Sequence, residues 1–148
     1  MSSDTWVIGQ SWNDLLFAHW PLDVDVARRL VPAPLEPDLF GGRAFVGVVA
    51  FRMQTVRFAW CPPVVGTSSF PEINVRTYVT HGGRPGILFL SLDVHNAVAL
   101  EIGRRAFGLP YLRARVSLRS AGGTVRFRSE RFGPRPASFA AEYEPTGP

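Results

Sequence analysis

The stretch from Phe70 to Val79 alternates polar and apolar side chains, which predicts a β-strand with two chemically different faces. The polar face has four hydrogen-bonding or ionisable side chains, Glu72, Asn74, Arg76 and Tyr78. The other face consists of Ile73, Val75, Thr77 and Val79. In an open antiparallel sheet the polar face would be solvated, whereas in a closed barrel it would line a cavity. Other features of the sequence are needed to choose between an open sheet and a closed barrel.

The size and composition of the chain are those of one globular domain. It has 148 residues, of which 46% are apolar and 19% are charged, which is enough for one core but not for two. No apolar run reaches the length of a membrane span, and the first four residues lack the basic start of a signal peptide. We therefore expect a cytoplasmic protein with a single domain over residues 1–148.

Residue types that are rare or absent exclude several kinds of chemistry within this chain. Cys61 is the only cysteine, so there is neither a disulfide framework nor a cysteine metal cluster. The three histidines are scattered without metal-ligand spacing, and we expect no metal and no cofactor. All 16 basic residues are arginine, and the absence of lysine excludes lysine Schiff-base chemistry and phosphate binding by a P-loop.

Periodicity and turn residues predict seven or eight strands and two helices. The strands are predicted at 15–20, 44–51, 52–60, 70–79, 87–94, 111–119, 124–131 and 138–143. The helices are predicted at 24–31 and 97–107. Because most strands are joined by short turns, we expect a mainly β or α+β fold, either an antiparallel barrel or a sandwich.

The second helix has the clearest signals in the sequence. Asn96 is a typical N-cap, and Gly108 followed by Pro110 is a typical stop. Glu101 precedes Arg105 by four residues, a spacing that favours an ion pair on a helix. The inner apolar stripe is predicted to consist of Val98, Ile102 and Ala106.

Four stretches of the chain together resemble the YqjF-like family, which belongs to the acetoacetate decarboxylase-like superfamily. They are Leu16-Phe17-Ala18-His19-Trp20-Pro21, Gly47-Val48-Val49-Ala50-Phe51-Arg52-Met53, Phe70–Val79 and Phe107-Gly108-Leu109-Pro110-Tyr111. The resemblance implies a conical antiparallel β-barrel around a small-molecule cavity. Relatives usually continue well past residue 148, so the resemblance also implies a C-terminally short chain and an incomplete barrel.

The resemblance also bears on the reaction. Acetoacetate decarboxylases carry a Gly-Arg-Glu and then a Gly-Phe-Pro-Lys-Lys pattern, to which Gly103-Arg104-Arg105 and Gly108-Leu109-Pro110-Tyr111-Leu112 look similar. Tyr111 then stands where the Schiff-base lysine would be, and Leu112 stands where the second lysine would be. A phenol cannot form an imine with a ketone, so the resemblance implies that decarboxylase chemistry is lost. Glu72 looks like the carboxylate that those enzymes keep in the cavity.

Four residues form the best candidate ligand-binding site: Glu72, Asn74, Arg76 and Tyr111. Arg76 could hold a carboxylate with two hydrogen bonds, while Glu72 and Tyr111 could act as base and acid, which makes them the candidate catalytic residues. The alternative is structural: Glu72 and Arg76 would pair with each other inside the barrel and bind nothing.

The sequence therefore favours a protein that binds a small organic anion, such as a carboxylate, without Schiff-base chemistry. One alternative is a non-Schiff-base enzyme that uses Glu72 and Tyr111, and another is a module that self-associates through an unpaired strand edge. We expect a homo-oligomer. Nucleic-acid binding is disfavoured, because the arginine face lacks interleaved aromatic residues for base stacking. This face is predicted to consist of Arg113, Arg115, Arg119, Arg126 and Arg128.

Overall fold

The computed structural model describes residues 8–58, 69–144 and 146, and it contains eight strands and two helices. The first half of the chain forms β1 (Ile8–Leu22), α1 (Val24–Leu30), β2 (Glu36–Pro37), β3 (Ala44–Phe58) and β4 (Ser69–His81). The second half forms β5 (Arg84–Val94), α2 (Ala97–Phe107), β6 (Tyr111–Ala121), β7 (Thr124–Arg131) and β8 (Ala137–Tyr143).

All eight strands belong to one mixed sheet. Seven of them follow each other in the order β1-β3-β4-β5-β6-β7-β8, while β2 pairs with the end of β4. Neighbouring strands are antiparallel except β5 and β6, which α2 connects in parallel over only three residue pairs. The predicted mainly β fold class is therefore confirmed, although an all-antiparallel sheet was expected and one parallel pair is present. A helix between two strands favours such a parallel crossover.

Both helices begin where the sequence predicts. Asp23 caps α1, and its carboxylate accepts hydrogen bonds from the backbone of Asp25 and Val26. Asn96 caps α2 in the same way. None of the described helices is both long enough and apolar enough to cross a lipid bilayer.

Two apolar clusters lie on opposite faces of the sheet. The first cluster is packed between the sheet and α2 and contains Val49, Phe51, Met53, Phe70, Leu92, Val94, Leu100 and Tyr111. The second cluster fills the inside of the curled sheet and contains Ala50, Ile73, Ala114, Val116, Leu118, Val125 and Phe127. The two faces of β4 therefore meet different surroundings. The polar face points toward α2, and the apolar face points into the curl.

A bulge in β1 determines which of its side chains contribute to each cluster. The register of β1 against β3 shifts at Asp14, where φ is 52°. Before the shift, Trp12 is opposite Met53 and packs on the first cluster. After the shift, Leu16 is opposite Ala50 and packs on the second cluster. A strand without a bulge would place Trp12 and Leu16 on the same face.

In the described part of the chain, side-chain contacts rather than a ladder of backbone hydrogen bonds connect β8 to β1. The Tyr143 hydroxyl donates to the backbone carbonyl of Asp14. The Asp14 carboxylate is 3.2 Å from Nε of Arg52, whose Nη2 donates to the Leu118 carbonyl over 3.4 Å. The first and last strands of the curled sheet therefore approach each other, and the arrangement is a half-barrel.

A buried ion pair supports the short parallel junction between β5 and β6. Nε of Arg131 on β7 is 3.1 and 2.9 Å from the two carboxylate oxygens of Asp93 on β5. Nη2 of Arg131 also donates to the Ser91 hydroxyl over 2.8 Å. Burial raises the pKa of Asp93, and the hydrogen bond and charge of Arg131 oppose that rise. The pair thus ties β7 to β5 across the intervening strand.

Candidate functional site

After α2 ends, the chain turns back so that Tyr111 lies beneath the helix. Gly108 has a left-handed φ of 62° and ends α2, and its N–H donates to the Arg104 carbonyl over 3.2 Å. The N–H of Leu109 donates to the Gly103 carbonyl over 3.1 Å. Nε of Arg104 then donates to the backbone carbonyl of Tyr111 over 2.7 Å. These bonds fix the first residue of β6 against the last two turns of α2.

The side of α2 that faces the sheet differs from the predicted stripe. Leu100 and Gly103 are the buried helix residues, whereas Val98 is 42% exposed and Ala106 is also exposed. Only Ile102 of the predicted stripe faces inward, where it lines a cavity. The prediction was wrong because it searched for large apolar residues, while a glycine is what allows the helix to approach the Tyr111 ring closely.

Glu72 lies in the centre of this interface. It is opposite Phe51 on β3 and Val94 on β5, and both of these neighbours are fully buried. Glu72 itself is only 2% exposed, and its Oε2 accepts a hydrogen bond from the Tyr111 hydroxyl over 2.9 Å. The carboxyl group is therefore held in an apolar layer with one identified hydrogen-bond donor.

This environment raises both pKa values of the pair. Burial raises the pKa of Glu72 from 4.5 to about 7, although the hydrogen bond from Tyr111 opposes the rise and the charge of Asp93 adds to it. Burial, followed by the charge and the hydrogen bond of Glu72, raises the pKa of Tyr111 far above its usual value. Tyr111 consequently keeps its proton, while Glu72 exchanges its proton near neutral pH.

A cavity of about 270 Å³ lies between α2 and the sheet, beside the Glu72–Tyr111 pair. Its walls are mainly apolar, and its polar groups come from β1, β4 and β6. It is lined by Gln10, Trp12, Met53, Phe70, Glu72, Asn74, Phe89, Leu92, Ala99, Ile102, Gly103, Phe107, Leu109 and Tyr111. An apolar pocket with a few convergent polar groups is typical of a small-molecule site.

Two buried polar atoms of the lining residues have no hydrogen-bond partner in the described part of the chain. They are Oδ1 of Asn74, a residue that is 1% exposed, and Nε1 of Trp12. Buried polar groups are nearly always hydrogen-bonded in native proteins. The residues that line this cavity therefore carry one acceptor and one donor that have no partner among the described residues.

Sequence reasoning identified Asn74 but missed Trp12. The indole reaches the cavity because the bulge at Asp14 turns this part of β1 toward the first cluster, where Trp12 stacks on Phe51 with ring centroids 4.5 Å apart. Asn13 and Asp14 are two adjacent polar residues in a stretch rich in apolar and aromatic side chains, and this interruption could have signalled a bulge.

All four predicted ligand-binding residues are buried, but the structure brings only three of them together. Glu72, Asn74 and Tyr111 line the cavity. Arg76 is 5% exposed and lies farther along the same face of β4, where its Cζ is 4.9 Å from the centre of the Phe17 ring. Glu72 and Arg76 do not form an ion pair, so the structural pairing considered above is absent.

The arginine face of β6 and β7 is exposed to solvent, as the alternation predicts. Two of its arginines pair with acids across the strands, Arg115 with Glu130 at 3.3 Å and Arg126 with Glu142 at 2.9 Å. These pairs neutralise part of the positive face. Within residues 8–58, 69–144 and 146, no three histidine, cysteine or acidic side chains are grouped as metal ligands.

Comparison with known proteins gives relatives in sequence and in structure. Residues 9–148 match the DUF2071 family, which is described as an uncharacterized conserved protein. The uncharacterized protein YqjF of Bacillus subtilis (strain 168) is 41% identical over 140 residues, which are 95% of this chain and 58% of that protein. The chain thus spans little more than half the length of this curated relative.

Solved structures with the same fold include enzymes. Acetoacetate decarboxylase from Legionella pneumophila superposes with a TM-score of 0.66 and 15% identity, over 90% of this chain and 53% of that one. The enduracididine biosynthesis enzyme MppR superposes with a TM-score of 0.62 and 18% identity, over 100% of this chain and 60% of that one. At these identities the likeness concerns the fold alone, and it confirms the acetoacetate decarboxylase-like architecture. The match of residues 9–148 to the family model shows that the chain belongs to the DUF2071 family.

Proposed function

We propose that this protein binds a small organic molecule, and specifically an organic anion, in the cavity between α2 and the sheet. Glu72, Asn74 and Tyr111 would contact the ligand, and Trp12 would donate a hydrogen bond to it. The observation that carries the proposal is the pair of unpartnered buried atoms at the cavity, Asn74 Oδ1 and Trp12 Nε1. A ligand with one donor and one acceptor would satisfy both of them.

The kind of ligand follows from the walls and the size of the cavity. A volume of about 270 Å³ with mainly apolar walls suits a small metabolite with a short hydrocarbon body. MppR, a protein with the same fold, is described in complex with the condensation product of pyruvate and imidazole 4-carboxaldehyde. This description supports a small organic acid as the first class of compound to test.

A second candidate function is acid–base catalysis on such a ligand without a Schiff base. It is favoured by the pKa of about 7 at Glu72, which lies where a general base is most effective. Glu72 would take a proton from a carbon atom next to a carbonyl group, while Trp12 and Asn74 hold the ligand. Because this chain contains no lysine, an imine on a lysine side chain of this chain is excluded from the mechanism.

Ligand-observed NMR with a panel of small carboxylic acids and the corresponding amides tests the binding proposal. Ala99 lines the cavity on α2, and Ala99→Leu would fill part of the volume. Ala106, on the same helix, is exposed and outside the lining, so Ala106→Leu is the matched control. We expect at least one acid to bind the wild-type and Ala106→Leu proteins and to lose affinity for Ala99→Leu. Equal binding to all three proteins would contradict a cavity site.

The catalytic candidate is tested separately with any compound that binds. If Glu72 removes a proton next to a carbonyl group, the protein should speed exchange of that proton for deuterium in D₂O, and Glu72→Gln should abolish the acceleration. Exchange at the uncatalysed rate in the wild-type protein would leave binding as the function and would exclude this reaction.

A further inference from the structure

A second group of polar side chains lies on the same sheet face, next to the cavity but outside its lining. His19 on β1, Gly47 on β3 and Arg76 on β4 are directly opposite one another across three adjacent strands. A Cβ atom at position 47 would be 3.1 Å from Nε2 of His19 and 3.6 Å from Cγ of Arg76. The missing side chain at Gly47 therefore leaves space for the His19 ring and for the aliphatic part of the Arg76 side chain.

The group also includes a phenol and an aromatic ring. Nε2 of His19 and the hydroxyl of Tyr78 share a hydrogen bond of 2.6 Å. Phe17 is stacked beside the His19 ring, with centroids 6.1 Å apart, and the guanidinium of Arg76 lies over the same phenyl ring. These contacts orient the side chains of His19 and Arg76.

The described residues supply no anion for Arg76. It takes part in none of the six ion pairs, and its buried Nε has no hydrogen-bond partner. The acid nearest by register is Asp38, whose N–H donates to the Tyr78 carbonyl over 2.9 Å, two residues along β4 from Arg76. Neither Asp38 nor Glu72, which is four residues away, forms an ion pair with Arg76. An arginine that is only 5% exposed and has no anion as a partner is unfavourable, and the face of one phenyl ring offsets only part of that cost.

We propose that Arg76, His19 and Tyr78 form an oxyanion-binding site that holds the carboxylate or phosphate group of the ligand. The planar guanidinium can donate two parallel hydrogen bonds to such a group. His19 is exposed, so the anion has a route in from solvent. The assignment rests on the proposed function to the extent that one ligand occupies both the cavity and this site.

The geometry limits the length of such a ligand. Arg76 is two residues from Asn74 on the same strand face, so their Cα atoms are roughly 7 Å apart. Phe89 is directly opposite Arg76 on β5 and also lines the cavity, so the two sites adjoin. The charged group and the hydrogen-bonding group of the ligand would therefore be separated by only a few bonds.

The test uses simple anions, so that it does not depend on the ligand of the cavity. Arginine Nε–H signals of ¹⁵N-labelled protein are followed by NMR while sodium acetate or sodium phosphate replaces sodium chloride at constant ionic strength. The Arg76 signal is identified by its loss in Arg76→Lys. We expect saturable shifts of this signal with acetate, phosphate or both, and none for Arg119, an exposed arginine on β6.

Three variants test whether the anion binds at this particular group of side chains. Tyr78→Phe and His19→Gln should weaken the anion binding that shifts the Arg76 signal roughly 10- to 100-fold, the usual effect of losing a charge-assisted hydrogen bond. Phe17→Leu changes a half-exposed residue, so it should fold normally and still weaken binding. Unchanged affinity in His19→Gln and Phe17→Leu, or an Arg76 signal that responds equally to chloride, would overturn the proposal.

A fourth variant separates this site from the cavity. Ala99→Leu should still bind acetate or phosphate at Arg76, because position 99 lies on α2 and lines only the cavity. If no organic acid binds the cavity but the anions still shift the Arg76 signal, the oxyanion site stands and the proposed function fails. If organic acids bind without any contribution from Arg76, the proposed function stands and the oxyanion site fails.

Discussion

Gly103 on α2 and Tyr111 on β6 are in such close contact that a Cβ atom at position 103 would lie 2.3 Å from two carbon atoms of the tyrosine ring. The glycine therefore determines how closely α2 can pack against the sheet. The same approach places the Tyr111 hydroxyl within 2.9 Å of the Glu72 carboxylate. The geometry of the candidate site thus depends on the absence of one side chain.

Gly103→Ala is expected to destabilise the protein, although alanine is the better helix former. The gain in helix propensity is about 1 kcal/mol, whereas overpacking a rigid ring typically costs about 1–3 kcal/mol and here forces Tyr111 to move. Urea unfolding measures the difference. Gly86→Ala is the control, because its Cβ would make only ordinary contact with Val79, at 3.8 Å. Equal stability of both variants would contradict the close packing.

The stability of Glu72→Gln relative to the wild-type protein is expected to be higher at pH 8 than at pH 5. The folded carboxyl has a pKa of about 7 and the ordinary value is 4.5, so between these values the folded protein holds a proton that the unfolded chain has lost. Stability therefore falls as the pH rises through this window, by roughly 3 kcal/mol in total.

Glutamine does not titrate, so the variant should lack this fall. Urea unfolding of both proteins at pH 5 and pH 8 provides the measurement. Glu130→Gln, which changes an exposed carboxylate on β7, is the control and should follow the wild-type pH dependence closely. If the wild-type and Glu72→Gln proteins lose the same stability between the two pH values, Glu72 has an ordinary pKa.

Arg131→Met is expected to destabilise the protein by about 3–5 kcal/mol, because it leaves the buried Asp93 carboxylate without its cation. Arg115→Met removes an exposed pair with Glu130 and should cost only about 0–1 kcal/mol. The double variant Arg131→Met with Asp93→Leu should regain much of the lost stability, since no charge is then left unpaired. Failure of the double variant to recover would mean that packing, not charge, dominates at this junction.

We also expect the chain to self-associate in solution. Large apolar side chains are exposed on its surface, among them Phe40 at 83% and Phe132 at 51%, and exposed apolar groups favour association when they form a patch. Light scattering at several protein concentrations measures the mass, which should exceed that of one 16.4 kDa chain. A monomeric mass at every concentration would refute self-association.

Local patterns in the sequence determined most of the elements and the direction in which β4 faces. The caps and stops at Asn96 and Gly108 predicted α2 residue for residue, because capping depends on hydrogen bonds between near neighbours. Alternation correctly placed Glu72, Asn74 and Arg76 on one face of β4, because a pleated strand reverses its side chains at every residue.

Only the tertiary structure decided which of these side chains meet. Tyr111 reaches Glu72 across 39 residues of sequence, and Trp12 reaches the cavity through a bulge that alternation does not reveal. The side chain of Arg76 lies beside His19 rather than in the cavity, because Gly47 on the adjacent strand leaves space there. Such contacts depend on strand register and on the depth of helix packing. These are set by the free energy of the whole fold and not by any short stretch of sequence.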